Sequence, residues 1–475
     1  MNAATVNEAV MDRAYPLTLS RMVAWMRATT RLSASEQAVV ARRIWNDSRE
    51  VRQGDVFVAI ATEKDDGHRY VANAFAAGAA AVVVARSKLA QLSRTEQKRA
   101  IAVTDPLLAL QRCGRRYRRE LDLPIIGITG SSGKTTTRAF IAAVLRARFI
   151  VGETYTNWNN HLGVPLTLLR FGGNEDFGVI EMGANHVGEI RALSKIALPD
   201  IAVITNIGYS HVGLFGGLAN TTKAKFEIAE GLGRSGFMLL NGDDPRLWAG
   251  ARRYGKETVW YGVSPRCSVR AENIAVTPDM RTVFSVDGEQ FELSMPGRHF
   301  VYSALPALYL GREFGVPVDA IANVLRAIRP VSLRGGIERK NGAAFIVDCY
   351  NANPSSMAAG LALLADVAPA DTRVAIVGDM LELGRHAKQL HRVLGKRIVD
   401  MGVSRLLAVG EFARDMADAA LRAGMDGDSI LTAPDAGSAV EPARRLIREG
   451  DTVLLKASRG IHLETVFERF AEGDS

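Results

Sequence analysis

Directly after Pro124 the sequence places a short apolar run, Ile125-Ile-Gly-Ile-Thr129, against Gly130-Ser-Ser-Gly-Lys-Thr-Thr136, and a helical pattern runs from Lys134 to about Arg148. Few arrangements restrict a fold more. A buried strand that enters a glycine-containing turn and then a helix predicts an open parallel sheet, with the turn at the carboxyl end of a strand. Glycines let main-chain N–H groups approach phosphate oxygens, and the helix N-terminus adds partial positive charge. Thr129, Gly130, Ser131, Ser132, Gly133, Lys134, Thr135 and Thr136 are therefore the expected cradle for nucleotide phosphates. Lys134 would reach the outer phosphates and Thr135 would hold Mg²⁺. The full Walker spacing asks for glycine five residues before Gly133, where this chain has Ile128, so the loop is a shortened variant.

At 475 residues the chain is too long for one core and divides into blocks of domain size. In the first, residues 1–121, the stretch 55–61 reads as a strand, 70–78 as a helix and 80–85 as a second strand, giving a small α/β unit. In the second, residues 122–329, apolar runs at 177–180, 201–205 and 237–240 are separated by helix-length segments, which predicts a parallel sheet with crossover helices. Residues 268–293 alternate apolar and polar around Asp287-Gly288 and are expected as antiparallel strands appended to that sheet. A helical stretch at 304–328 closes the block. In the third, residues 330–475, strands at 344–347, 374–377, 406–409 and 452–455 again alternate with helical patterns, as in a Rossmann-like doubly wound unit. Leu333-Arg-Gly-Gly336 is the expected flexible junction. The fold class is thus α/β, in three domains.

Charge and cysteine content narrow the function without deciding it. A net charge of +8 suits nucleic acid, an anionic membrane surface or a phosphorylated substrate. The densest basic run, Arg112, Arg115, Arg116, Arg118 and Arg119, is broken by Tyr117 and followed by Glu120 and Asp122, and reads as the solvated face of a helix. A nucleic-acid binder would interleave basic clusters with stacking aromatics, yet aromatics are 7% of the chain, which argues against that class. Cys113, Cys267 and Cys349 form no CxxC pair, so neither a disulfide framework nor a thiolate zinc site is expected, and a reducing cytoplasm is the simplest compartment. Residues 1–17 carry Glu8 and Asp12 and lack the apolar core of a secretory signal. No run approaches 18 apolar residues, so no membrane span is expected.

Two further side chains emerge at the carboxyl ends of strands, where ligands bind in open sheets. Glu181 follows Val179-Ile180, and His211 ends Asn206-Ile-Gly-Tyr-Ser-His211. Singly, each is an ordinary loop residue. Because Thr135 sits at an equivalent strand end, the three together form a candidate frame for one or two Mg²⁺ ions.

With those residues in view, the sequence resembles the Mur ligases of bacterial peptidoglycan synthesis, and within them the dipeptide-adding branch, over nearly the whole chain. The resemblance is carried by Asp47-Ser-Arg49 with Gly54-Asp-Val-Phe-Val-Ala59, by Asp66-Gly-His68, by the phosphate loop and by Asn157-Trp-Asn-Asn-His-Leu-Gly-Val-Pro165. Glu181-Met-Gly-Ala-Asn185, Asn241-Gly-Asp-Asp244, Tyr350-Asn-Ala-Asn-Pro354 and Gly378-Asp-Met-Leu-Glu-Leu-Gly384 complete it. It implies an N-terminal domain that holds UDP-N-acetylmuramoyl-tripeptide, a central domain that holds ATP and a C-terminal domain that brings in D-alanyl-D-alanine; a monomer is expected. The implied reaction passes through an acyl phosphate.

Carried over residue by residue, the resemblance implies substrate contacts at Ser48, Arg49, Asn157, Asn160, Lys456 and Ser458, and nucleotide contacts at Asp348, Asn351 and the interdomain Arg334. It implies catalytic roles for Lys134, His211 and Arg459. Lys225 matches a lysine that the family carries as a carbamate ligating a second Mg²⁺, with Lys223 the alternative in register. From the sequence alone Lys225 reads as a surface helix lysine, and Asn351-Ala-Asn-Pro354 reads equally as a turn capping the next helix. A sister ligase adding a different amino acid to a muramyl peptide is the alternative activity. In one place the chain departs from the family. Members show His-Asn-x-x-Asn near the adenine, whereas this chain has His299-Phe-Val-Tyr-Ser303, and Phe300 and Ser303 lack an amide's paired donor and acceptor.

Overall fold

In the computed structural model, which describes residues 15–330 and 333–470, four sheets account for the apolar runs of the sequence. Glu8 and Asp12 lie outside the described residues. The first sheet runs Thr29–Thr30, Ala100–Val103, Ala81–Ala85, Val56–Val58 and Ile44–Trp45, parallel except for the first pair. The helix Pro106–Arg118 follows it, started by Pro106 in the first turn and by the Asp105 carboxylate, which accepts from the N–H of Leu108 at 3.0 Å. Arg112, Arg115, Arg116 and Arg119 are exposed on this helix and its C-cap, as a solvated face should be.

Arg118 is the exception to that face. It is buried, and its guanidinium donates to the carbonyls of Ala197 (2.8 Å), Leu121 (3.0 Å) and Leu198 (3.1 Å) and to the Asp200 carboxylate (3.1 Å). A planar group with five donors is thereby nearly saturated, which is what allows its charge to leave water. Next to it, the fully buried Tyr117 donates to Phe171 O at 2.6 Å. These two side chains weld the first domain to the second. One apolar cluster runs across the seam, from Met22, Val56 and Leu110 to Leu168, Ile180 and Met238.

The central sheet has seven strands, all parallel, in the order Val269–Arg270, Thr258–Gly262, Phe237–Asn241, Ile201–Ile204, Ile125–Thr129, Phe177–Glu181, Val151–Glu153. Its inner strands are buried on both faces, which is why they read as unbroken apolar runs. The helix Lys134–Leu145 covers one face and packs on Arg298–Glu313. Two expectations need correction. Glu272–Val276, Thr282–Val286 and Glu289–Leu293 pair only with one another, as a separate antiparallel sheet. Their alternation buries Phe284, Val286, Phe291 and Leu293 against the helices, and only Val269–Arg270 extends the parallel sheet. The helical stretch at 304–328 is two helices, Arg298–Glu313 and Val318–Ala327, broken where Gly315 takes φ +72° and Pro317 follows.

The C-terminal sheet runs Gly336–Lys340, Ala343–Asp348, Thr452–Lys456, Arg373–Gly378, Arg405–Val409, Ile430–Ala433, parallel after an antiparallel edge pair. Separate apolar clusters cover its two faces, which makes it doubly wound.

Replacing Arg118 by Met would strand three carbonyls and leave the Asp200 carboxylate with only its bond from Ile125 N–H and water. We expect Arg118→Met to cost about 2–4 kcal/mol of unfolding free energy, seen as a lower urea midpoint. A change under about 0.5 kcal/mol, the size of an ordinary surface substitution, would show that the weld is not structural.

Candidate active site

The chain switches from one side of Ile125–Thr129 to the other after Phe177–Glu181, so the carboxyl ends of these strands and of Ile201–Ile204 lie side by side at a topological switch point. The carboxyl ends of Ala343–Asp348 and Thr452–Lys456 contribute to the same space. Between them is a cavity of about 820 Å³ lined by the phosphate loop, Glu181, His211, Arg334, Asp348, Asn351 and Lys456.

The loop is shaped from behind. Gly130 has φ +146°, and a Cβ there would lie 1.9 Å from Thr205 Oγ1, so no other residue fits. Thr205 Oγ1 donates to Ser132 O (2.6 Å), while Asn206 accepts from the N–H of Ser131 on its carbonyl and from that of Ser132 on Oδ1, both at 3.0 Å. Those two amides are thus spent on bracing, and the Ser131 hydroxyl is also engaged, with Gly208. Thr137 is the first residue whose N–H closes back into the helix, onto Gly133 O. The N–H groups of Lys134, Thr135 and Thr136 are left as the unsatisfied donors of a helix start, pointing where an anion binds. Lys134 Nζ donates to Gly130 O at 2.9 Å; burial holds its pKa below the usual lysine range, with Glu181 opposing.

Glu181 ends its strand buried. Oε1 accepts from Asn159 Nδ2 at 2.8 Å, but Oε2 is buried with no hydrogen-bond partner. An anionic oxygen left so is costly unless a cation meets it, which makes Glu181 a fitting ligand for Mg²⁺. His211 lies on the same cavity, and its Nδ1 hydrogen-bonds Glu382 of the C-terminal domain. Burial lowers the His211 pKa, against the pull of Glu382. Among the described residues no three His, Cys, Asp or Glu side chains converge as a metal cluster. A cation on Glu181 and His211 would draw its remaining ligands from hydroxyls such as Thr135, from nucleotide oxygens and from water.

Lys225 is not a surface lysine. It is fully buried on the helix Leu218–Phe226, behind the cavity wall, and its ammonium sits 5.2 Å from the centre of the Phe215 ring. Burial, and then the charge of Lys134, push its pKa down to about 7.

On the opposite wall, Asp348 and Lys456 are partners in the sheet ladder. Lys456 Nζ donates to Asp348 Oδ2 (2.5 Å) and to Asn351 O (3.1 Å). The Arg334 guanidinium lies 3.9 Å over the Tyr350 ring, and its buried Nε has no hydrogen-bond partner among the described residues. The helix-capping reading of this turn is correct for Asn353, which caps Pro354–Val367 in a reciprocal box with Ser356. The Asn353 side chain also reaches Ser132 Oγ at 2.9 Å, so the cap touches the phosphate loop. In the segment 299–303, Ser303 is engaged with Thr137 at 3.1 Å and Phe300 is packed in the core; the buried Tyr261 hydroxyl has no hydrogen-bond partner among the described residues.

Several expected residues stand apart from the cavity. Arg49 forks onto Asp47 at 2.9 and 2.7 Å, and Ser48 and Asn157 do not line the cavity either. Ser458 accepts from Leu381 N–H at 2.9 Å, and Arg459 pairs with Glu464 at 2.7 Å. Asn160 reaches the cavity, although its Oδ1 accepts from the N–H groups of Leu162 and Gly163. Conversely, Asn159, Asp243, Tyr261, His299 and Tyr302 line the cavity without having been singled out as site residues. Asn159, Asp243, His299 and Tyr302 fall in stretches that carry the family resemblance or depart from it, whereas Tyr261 falls in none. His299 is pushed by burial to about 4 and is therefore neutral at physiological pH.

Comparison with known proteins places this geometry. Three family models match in order: "Mur ligase family, catalytic domain" over residues 42–118, "Mur ligase middle domain" over 128–311 and "Mur ligase, glutamate ligase domain" over 336–459. The UDP-N-acetylmuramoyl-tripeptide–D-alanyl-D-alanine ligase of Bacillus subtilis is 33% identical over 458 residues, covering 96% of this chain and 98% of the relative. The chain belongs to the Mur ligase family. Among solved structures, MurF from Acinetobacter baumannii superposes with a TM-score of 0.86 at 28% identity, covering 96% of this chain and 99% of that one. MurF ligase from Thermotoga maritima in complex with ADP gives 0.79 at 27%, covering 90% and 97%. As a Mur ligase, the chain has the three-domain α/β architecture expected of it.

The two loop glycines separate space from conformation. Gly130→Ala drives a methyl into Thr205 and is expected to lower nucleotide affinity at least tenfold, about 1.4 kcal/mol. Gly133→Ala meets nothing within 4 Å and should cost only the left-handed backbone penalty of about 1–2 kcal/mol in stability. Calorimetric titration with ADP, set beside thermal melts, checks both.

Proposed function

We propose that this chain joins D-alanyl-D-alanine to UDP-N-acetylmuramoyl-tripeptide at the expense of ATP, releasing ADP and phosphate. The observation that carries the reading is the single cavity in which Lys134 and the helix start, the unpaired Glu181 oxygen and the C-terminal Arg334 and Lys456 converge. The choice of substrates is supported by the names of the relatives.

A carboxylate is a poor acyl donor. In the proposed sequence an oxygen of the tripeptide's terminal carboxylate attacks the γ-phosphorus, and the bond from that phosphorus to the ADP oxygen breaks. The dipeptide amine then attacks the acyl carbon and loses a proton, and the carbon–oxygen bond to phosphate breaks. The free N–H groups of Lys134, Thr135 and Thr136 orient the phosphates, and the Lys134 ammonium neutralises the charge that moves during transfer. Mg²⁺ held by Glu181, His211 and Thr135 would supply further positive charge and alignment of phosphate oxygens.

Residues 1–121 are assigned to the muramyl peptide, with Ser48, Arg49, Asn157 and Asn160 on its path; residues 122–329 to ATP, with Asp348, Asn351 and Arg334 completing that site; and residues 330–475 to the dipeptide, with Lys456, Ser458 and Arg459. Those that stand outside the cavity would act after domain closure. We assign the enzyme to the cytoplasm as a monomer. No helix of the described residues is long and apolar enough to cross a membrane.

Omission of ATP, Mg²⁺, the UDP-muramyl tripeptide or the dipeptide, one at a time, tests the reading. Phosphate should appear only with all four, and Lys134→Ala should lower its release at least about 100-fold with an unchanged melting temperature. Release driven by a single amino acid in place of the dipeptide would move the chain to a sister activity.

Lys225 is assigned a carbamate. Its free-base nitrogen attacks CO₂ and releases a proton, and a lysine with a pKa near 7 presents that free base at neutral pH. With ¹³C-bicarbonate, a carbamate signal is expected that is absent in Lys225→Ala and fades as the pH falls below about 7, because protonation removes the attacking lone pair. No difference between the two proteins would exclude the modification.

A further inference from the structure

Among the contacts that join the C-terminal domain to the central one, the pair His211–Glu382 reaches a candidate cation ligand. His211 and Glu382 are 171 residues apart and belong to different domains, yet Nδ1 of the one hydrogen-bonds Oε2 of the other. An ionised carboxylate only accepts, so Nδ1 must carry the proton, and the lone pair of Nε2 is left for a cation. Histidine ligands are commonly held in this way by a carboxylate, and removing that partner typically costs about 10–100-fold in metal affinity.

We propose that Glu382 is a positioning residue that aims His211 at the cation, so that a ligand of the central domain is set only while the C-terminal domain is docked. This rests on the reading of Glu181, His211 and Thr135 as cation ligands.

The surrounding contacts leave little freedom. Gly213 N–H donates to Glu382 O at 3.0 Å, and a Cβ on Gly213 would stand 2.6 Å from Gly384 N, so the two loops meet backbone to backbone. Val212, the neighbour of His211, is buried in the apolar cluster of the C-terminal domain with Met380 and Leu383. His211 and Glu382 both hold left-handed backbones, φ +54° and +62°, which such residues adopt only when the surroundings impose it. The turn that carries Glu382 is itself fixed. Asp379 accepts from the N–H groups of Glu411 (2.7 Å) and Phe412 (3.1 Å), and Ser458 Oγ accepts from that of Leu381.

Mn²⁺, followed by electron paramagnetic resonance in the full-length enzyme with ADP, is the probe. Glu382→Ala is expected to weaken Mn²⁺ binding at least about tenfold, while ADP affinity measured without divalent metal stays as in the wild type. Glu382→Gln keeps an oxygen that accepts from Nδ1–H and should restore most of the affinity. Gly213→Ala retains both side chains but holds the loops apart, and should lose Mn²⁺ to a similar extent. Glu382→Ala added to His211→Ala should weaken binding no further. If the wild type binds Mn²⁺ through His211 but Glu382→Ala and Gly213→Ala bind it equally well, the coupling is overturned. If His211→Ala leaves Mn²⁺ affinity unchanged, the ligand assignment fails, and the coupling with it.

Discussion

Thr205 and Asn206 line the cavity, yet they turn their hydrogen bonds onto the phosphate loop, and the site depends on them. By taking the carbonyl of Ser132 and the amides of Ser131 and Ser132, they bend the chain after Ile125–Thr129 tightly enough that the amides of Lys134, Thr135 and Thr136 are left over at the start of a helix. The loop therefore holds its shape before any anion arrives, and binding need not pay to order it. The glycine at 130 follows from the same brace, since the Thr205 hydroxyl occupies the place of its side chain.

Other parts of the cavity carry a complementary mark, polar atoms buried without partners. Glu181 Oε2, Arg334 Nε and the Tyr261 hydroxyl each face the penalty of a lost hydrogen bond. All three residues line the cavity that the phosphate loop also lines. Folded proteins seldom leave such groups idle, and a site that gathers three of them has its hydrogen bonds waiting in the ligand.

How much of this was legible in the sequence depended on distance along the chain. Strands such as Ile201–Ile204 are buried on both faces and show as apolar runs, and the phosphate loop is local, so both could be read directly. Arg118 and Lys225 could not. Each belongs to a stretch that looks solvated, and only the three carbonyls around one and the apolar surroundings of the other reveal burial. The alternating stretch at 268–293 announced antiparallel strands, but not that 272–293 would stand apart from the parallel sheet and pack on the helices. Pairs such as Ser132 with Asn353 and His211 with Glu382 join residues 221 and 171 positions apart, and no spacing rule reports them. Family resemblance pointed to the segments that hold those residues, while the partners within them came from geometry.

The apolar seam between the first two sheets has a mechanical meaning. Because one cluster runs without a break from Met22 to Met238, the N-terminal and central domains share their cooperativity, and neither can loosen alone. The C-terminal domain carries two cores, one of which takes in Val212 of the central domain, and it otherwise meets the rest through contacts such as Ser132 with Asn353 and His211 with Glu382. Three units by connectivity are thus a fused pair and a third domain by packing. The shared core ties the first sheet to the sheet that carries the phosphate loop, which leaves the C-terminal side as the place where movement costs least.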